Sequence, residues 1–235
     1  LDEVNNIIKP GITTSEIDKL CYQYINDHKA FSAPLYYRGY PKSCCTSSNH
    51  VVCHGIPSEK ILYDGDVINV DVTAIKDGWH GDTSRMFIVG ECSIKAKKLI
   101  KVTYDSMMKA IKTIKANTKI GNIGYTIQKI VEAEGFSVVR DFCGHGIGKK
   151  FHESPNVLHY GEKDSGQELK EGMIFTVEPM INSGKFETKT LKDGWTAVTK
   201  DKSLSAQFEH TVGVTKEGYE IFTLSKKSLN FPPNL

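Results

Sequence analysis

An α+β fold built from two related halves is what the sequence predicts, and three observations predict it. Val67 to Val72 alternates as a half-buried strand does, and after a Lys76-Asp77-Gly78 turn the segment from Thr83 to Val89 resumes extended structure. Residues 93–115 are Lys-rich, free of Pro and Gly, and carry Ile100, Tyr104, Met107, Met108, Ile111 and Ile114 at helical spacing. From Ile120 onward the chain begins again.

The elements follow in order. Leu1, Val4, Ile7 and Ile8 read as the end of a helix that stops at Pro10-Gly11. Thr14 offers a cap for a second helix whose inward stripe uses Ile17, Leu20, Cys21, Tyr24 and Ile25. Residues 31–50, with Pro34, Gly39 and Pro41, read as a structured loop that leads into a short strand from His50 to His54. Asp64-Gly65 makes a turn into a hairpin with Asp71 on its first arm and Asp82 at the start of its second. The 93–115 helix closes the first half.

The repeat rests on two echoes. Lys9-x-Gly11 with Ile17 six residues on recurs as Lys119-x-Gly121 with Ile127, an offset of 110; Gly65 six before Asp71 recurs as Gly172 six before Glu178, an offset of 107. Two echoes in the same order at nearly one offset point to a duplicated unit of helices and strands. Its halves run approximately over 1–115 and 116–225, followed by a C-terminal tail, within one domain spanning 1–235. Such a duplication places acidic residues of each half opposite one another about a pseudo-two-fold axis.

Composition narrows the function classes. With 30 basic and 28 acidic residues the formal charge is +2, so nothing calls for a specific nucleic acid, and the Lys-rich stretches are wet helix faces. No run reaches the roughly 18 to 20 apolar residues that cross a bilayer, and no leader-like segment opens the chain, so a cytoplasmic protein is expected. The six cysteines form no CxxC pair and are too sparse for a disulfide scaffold, which suits reduced thiols.

Chemistry concentrates in acids and histidines. Asp71 in NVDVT and Glu178 in FTVEP sit among apolar strand neighbours, where a charge is expensive unless paired or metal-bound. Asp82 and Glu209, the latter in AQFEHTVGV, add two more carboxylates from extended segments. Oxygen-rich metal binding gives the four a common reason. His145 lies in CGHGIG, where Gly144, Gly146 and Gly148 let the backbone bring an imidazole close to a metal or substrate.

His152, between Phe151 and Glu153, and His54, at the end of a short strand, stand as further active-site candidates. Four carboxylates and one imidazole favour Mn(II), Fe(II) or Co(II), with Zn(II) admissible, and exceed what one ion takes from a protein while leaving room for substrate. Two ions share them comfortably. There is no GxSxG elbow, no HExxH, and no GxGxxG phosphate loop. Cys53 and His54 are adjacent on an extended segment and so point apart.

These residues lie in segments that resemble the bacterial (type I) methionine aminopeptidases, within the creatinase-like "pita-bread" family. The segments are VVCHGIP at 51–57, NVDVTAIKDGWHGDTSRMFIVG at 69–90, FCGHGIGKKFHESPNVLHYG at 142–161, EGMIFTVEPMI at 171–181 and SAQFEHTVGVT at 205–215. The resemblance implies duplicated halves around a central curved antiparallel sheet covered by helices. It assigns Asp71 to one metal ion, Asp82 and Glu209 to bridging both, and His145 with Glu178 to the other.

It also implies catalytic roles for His54 and His152 beside the scissile amide and for Glu178 as proton carrier, with a bridging hydroxide as nucleophile. A methionine pocket walled by Tyr37, Tyr40, Cys45, Phe151 and Trp195 follows from it, as does a monovalent-cation site at Asn49, Val51 and Ser205. The implied activity removes N-terminal methionine from peptides and nascent proteins when the second residue is small. A monomer with transient ribosome contact suits it. The rivals are a proline-directed enzyme of the same fold, which usually carries a separate N-terminal domain, and a silent binding protein, which would have lost a ligand or a substrate-facing histidine.

Overall fold

The computed structural model describes residues 1–232. Thr13 opens the first helix: its hydroxyl accepts from the Glu16 amide while the Glu16 carboxylate accepts from the Thr13 amide, and this capping box launches α1 (Thr14–Asp27). The cap is thus one residue earlier than the sequence predicts. Ile17, Cys21 and Ile25 of the expected stripe are buried, whereas Tyr24 is exposed. The helix expected before Pro10 reduces to a single 3-10 turn, Val4–Asn6. One turn is too short to nucleate an α-helix, and the apolar side chains instead pack tertiary partners.

Ser93 caps α2 (Ile94–Ile111), and α3 (Gly121–Ala133) follows after a short connection. These two helices bury Leu99, Ile100, Met107, Ile111, Ile123, Ile127 and Val131 in one cluster with Val67, Met86, Phe175, Val177 and Val212 of the main sheet. Ile68, Val70, Phe87 and Val89, on the alternate face of the same strands, join Ile17, Cys21 and Leu62 in a second cluster under α1. Period-two alternation therefore lets one hairpin serve two cores.

That hairpin pairs Val67–Lys76 with Trp79–Ile88 across the two-residue turn Asp77-Gly78, both residues having positive φ (52° and 79°). Such a turn closes the ladder at once, with Lys76 opposite Trp79. Asp82 consequently lies three residues inside the second arm, not at its start. The hairpin is part of a nine-stranded, antiparallel sheet. Its main path runs Phe31–Ser32, Val67–Lys76, Trp79–Ile88, Glu209–Val214, Ile174–Val177, Gly144–Gly146, Glu153–Val157. Strands from before residue 115 occupy one side of this path and later strands the other. They meet where Glu209 and His210 pair with Ser84 and Thr83.

Candidate metal centre and substrate cavity

Register brings the carboxylates together at that seam. Ser84 is opposite both Asp71 on one neighbour and Glu209 on the other, and Asp82, two residues earlier on the same face, is diagonal to each. Glu178 directly follows Ile174–Val177, whose Val177 pairs with His210. His145 comes from the next strand, its amide donating to Thr176 Oγ1 at 3.0 Å. His145 Nε2 lies 3.8 Å from Asp82 Oδ2 and 3.7 Å from Glu178 Oε1. Ligand atoms of Asp82, His145 and Glu209 all fall within 4.8 Å of one another.

Nothing neutralises this cluster among the described residues: no lysine or arginine pairs with any of the four acids. Burial and mutual repulsion drive their carboxyls up. Asp82 rises to about 7 through burial, opposed by the Thr73 hydroxyl that donates to its Oδ1 at 2.7 Å. Glu178 rises to about 8 through burial, with Asp82 adding to it and the Thr176 hydroxyl opposing it. Asp71 and Glu209 are pushed well above the usual carboxylate range by burial and by the neighbouring acids.

The imidazole is oriented to match. His145 Nδ1 sits 3.1 Å from the Gly146 carbonyl, to which only a protonated nitrogen can donate, so Nε2 presents its lone pair to the carboxylates. Burial keeps this ring below the ordinary histidine range. Four oxygen donors and one imidazole nitrogen, buried without a counter-cation, are the donor set a hard or borderline divalent ion takes. The residues present therefore fit divalent metal.

A cavity of about 550 Å³ opens above the cluster. Every metal-ligand candidate lines it, as do His54 and His152 and the five expected pocket residues Tyr37, Tyr40, Cys45, Phe151 and Trp195. His152 Nδ1 is 3.1 Å from the Tyr37 hydroxyl, and its ring centroid is 4.1 Å from that of His145. Burial, then His145 and Arg38, hold His152 down to about 4. His54 stands edge-on to Phe142 at 5.6 Å and to Trp195 at 6.1 Å, on a left-handed backbone (φ 56°) that strains any non-glycine residue.

The far wall is closely packed. Tyr40 is only 2% exposed, its hydroxyl lies within 3.1 Å of the Cys44 and Gly55 carbonyls, and its ring meets Trp195 edge-on at 5.1 Å. Cys45 pairs with Asp71 in the sheet, which sets the thiol between aromatic wall and acids. The three residues named for a monovalent cation also lie close. Ser205 donates its amide to the Asn49 carbonyl at 2.8 Å, and Val51 starts the strand beside Ala197–Thr199.

Sequence reasoning overlooked the residues that hold the ligand candidates. Thr73 supports Asp82, Thr176 supports Glu178 and His145, and Gln207 Nε2 reaches Glu178 Oε2 at 3.4 Å. Each lies two positions from a ligand candidate, Asp71, Glu178 and Glu209, so strand alternation was the signal that finds them. Phe142, the edge-on neighbour of His54, and buried His159, whose Nε2 accepts the Glu178 amide at 3.0 Å, gave no such signal. Burial alone lowers His159 to about 3.

Comparison with known proteins adds three findings. The model of metallopeptidase family M24 matches residues 1–216. Methionine aminopeptidase of Rickettsia prowazekii (strain Madrid E) is 58% identical over 234 residues, 99% of this chain and 90% of that protein. The Escherichia coli (strain K12) methionine aminopeptidase is 56% identical over 228 residues, covering 96% and 86%.

Among solved structures, methionine aminopeptidase from Rickettsia prowazekii superposes with a TM-score of 0.94 over 95% of this chain and 90% of that one, at 58% identity. Prolidase from Pyrococcus furiosus, at 20% identity and TM-score 0.74, covers 95% of this chain but only 59% of its own. That likeness concerns the fold alone. It is the pita-bread fold, α+β with a curled antiparallel sheet, as the sequence predicts.

Proposed function

The chain belongs to metallopeptidase family M24, and from that membership we propose that it is a metal-dependent aminopeptidase that removes N-terminal methionine from peptides and nascent proteins. The observation that carries the reading is the uncompensated acid cluster at the floor of a cavity walled by aromatic rings and a thiol. The high identity to methionine aminopeptidases over nearly the whole chain supports the same activity.

We assign Asp71, Asp82, His145, Glu178 and Glu209 as ligands of two divalent ions, with Mn(II), Fe(II) or Co(II) best suited to the donors and Zn(II) admissible. When bound, such ions acidify water and polarise a carbonyl, which is the chemistry amide hydrolysis needs at neutral pH. Glu178 takes a proton from water at its Oε and passes it to the departing amine.

His152 faces the scissile carbonyl as a neutral ring. With Nδ1 engaged by the Tyr37 hydroxyl, Nε2 is left to donate to the developing oxyanion. His54, fixed between Phe142 and Trp195, holds the amide on the other side. Tyr37, Tyr40, Cys45, Phe151 and Trp195 receive the methionine side chain, because a polarizable thioether suits aromatic and sulfur contacts better than charged ones. A preference for a small second residue belongs to the same reading.

The finer assignments belong to the same reading: a monovalent cation at Asn49, Val51 and Ser205, a monomeric enzyme, and brief contact with the ribosome as chains emerge. No helix among the described residues is long and apolar enough to cross a membrane. The test uses metal-stripped protein with Mn(II), Fe(II) or Co(II) restored separately, assayed on Met-Ala-Ser beside Ala-Pro-Ser. Metal-dependent methionine release from the first peptide alone is expected. Cleavage of the second would transfer the chain to the proline-directed class, and silence on both despite metal uptake would overturn the enzymatic reading.

A further inference from the structure

The backbone at Glu178 is unusual for its place in the sheet. Glu178 leaves the end of Ile174–Val177, and Pro179 behind it has no amide hydrogen. The Glu178 amide is therefore the last donor before Met180, and its side-chain partner lies outside the strand ladder. It donates to Nε2 of His159 at 3.0 Å, in a setting where the imidazole is 1% exposed. A nitrogen that accepts from an amide carries no proton, so the ring is neutral and its proton sits on Nδ1.

His159 is itself placed by α3. Gly121 and Gly124, three residues apart and so on one face of that helix, lie directly on the loop that follows Glu153–Val157. A Cβ at Gly124 would crowd the backbone of Leu158 and Tyr160, the two neighbours of His159. The close seat of α3 thus presses the 158–160 backbone inward and delivers the imidazole to the end of the strand. Below it the Glu178 carboxylate is held by Thr176 and Gln207, so amide and side chain are anchored separately.

We infer that His159 is a positioning residue that fixes the Glu178 backbone, and through it the direction of the Glu178 carboxylate toward His145 and Asp82. The inference deepens the metallopeptidase reading and rests on Glu178 being a metal ligand there. Partners that orient a ligand in this way are worth about 10- to 100-fold in metal affinity or activity. Both anchors act on one residue, so loss of the backbone anchor leaves the carboxylate restrained only by the Thr176 hydroxyl at 2.7 Å and the longer Gln207 contact at 3.4 Å.

Two amide substitutions separate positioning from simple filling of space. In H159Q the side-chain carbonyl reaches the place of Nε2 and can accept the Glu178 amide, whereas in H159N it reaches only the place of Nδ1 and cannot. Co(II) is titrated into metal-stripped wild-type, H159Q and H159N protein and followed by its visible absorption, with melting of the metal-free proteins recorded alongside. Affinity should fall about 10- to 100-fold in H159N and recover to within severalfold of wild type in H159Q.

On Met-Ala-Ser the H159N loss should appear in kcat with KM little changed. Equal Co(II) affinity in H159N and wild type, or equal losses in the two variants, would overturn the inference. So would a lowered melting temperature in both with affinity unmoved, which is a structural role only. Wild-type protein that binds Co(II) without releasing methionine would instead defeat the proposed activity, and the affinity comparison would still judge His159.

Discussion

Asp82 and Glu178 carry the strongest consequence at the scale of single residues. Their folded-state carboxyls titrate at about 7 and about 8, above the ordinary values of 3.8 and 4.5, because burial disfavours the charged form and Asp82 repels Glu178. A raised carboxyl means that the metal-free folded protein binds protons more tightly than the unfolded chain. The stability this gives is complete below the unfolded values and is lost as pH rises through the folded ones. Metal-stripped protein should therefore melt at progressively lower temperature from pH 5 to pH 8. Saturating Mn(II) supplies the missing positive charge and should flatten that slope. A metal-free melting temperature that rises over this interval would contradict the assignment.

Residues also mark how far sequence reading reaches. Asp71 and Glu178 stood out because each is an acid among apolar strand neighbours, a combination with few physical explanations, and Asp82 across the hairpin and Glu209 in a third extended run joined them. Thr73, Thr176 and Gln207 were within reach through strand alternation, since each shares a face with a nearby acid. His159 was not. It meets Glu178 only after α3 has pressed its loop against the end of a strand, and nothing in local spacing encodes that approach.

Elements show the same division. The hairpin Val67–Lys76 with Trp79–Ile88 and the helices α1 and α2 follow from period, caps and turn residues. The start of the chain misled, because Val4, Ile7 and Ile8 serve a tertiary cluster through one short turn and not through a helix of their own.

The glycines around His145 bear on element packing. A Cβ at Gly146 would fall inside van der Waals contact of the Ser154 and Glu153 backbone, where Gly144–Gly146 and Glu153–Val157 pair through a register shift. G146A should cost about 1 to 3 kcal/mol by forcing those strands apart. G218A, at a glycine with open space around its Cβ position, should change stability little. Urea unfolding of both variants checks the pair, and a neutral G146A would show that the strand contact is not tight.

The whole molecule places its site at a seam. Strands from the first part of the chain supply Asp71 and Asp82; strands from the second supply His145, Glu178 and Glu209; and the seam is the pairing of Glu209–Val214 with Trp79–Ile88. Neither part holds all five proposed ligands, so the proposed metal binding requires the complete sheet. The two hydrophobic clusters pack opposite faces of the first hairpin, which carries one side of that seam.

The central claim is that these five side chains hold two divalent ions beneath a methionine pocket. Anomalous diffraction from crystals of the protein grown with Mn(II) tests it most directly. Two manganese peaks within coordination distance of Asp71, Asp82, His145, Glu178 and Glu209 are predicted. Manganese bound elsewhere, or no peak among these residues at saturating metal, would contradict it.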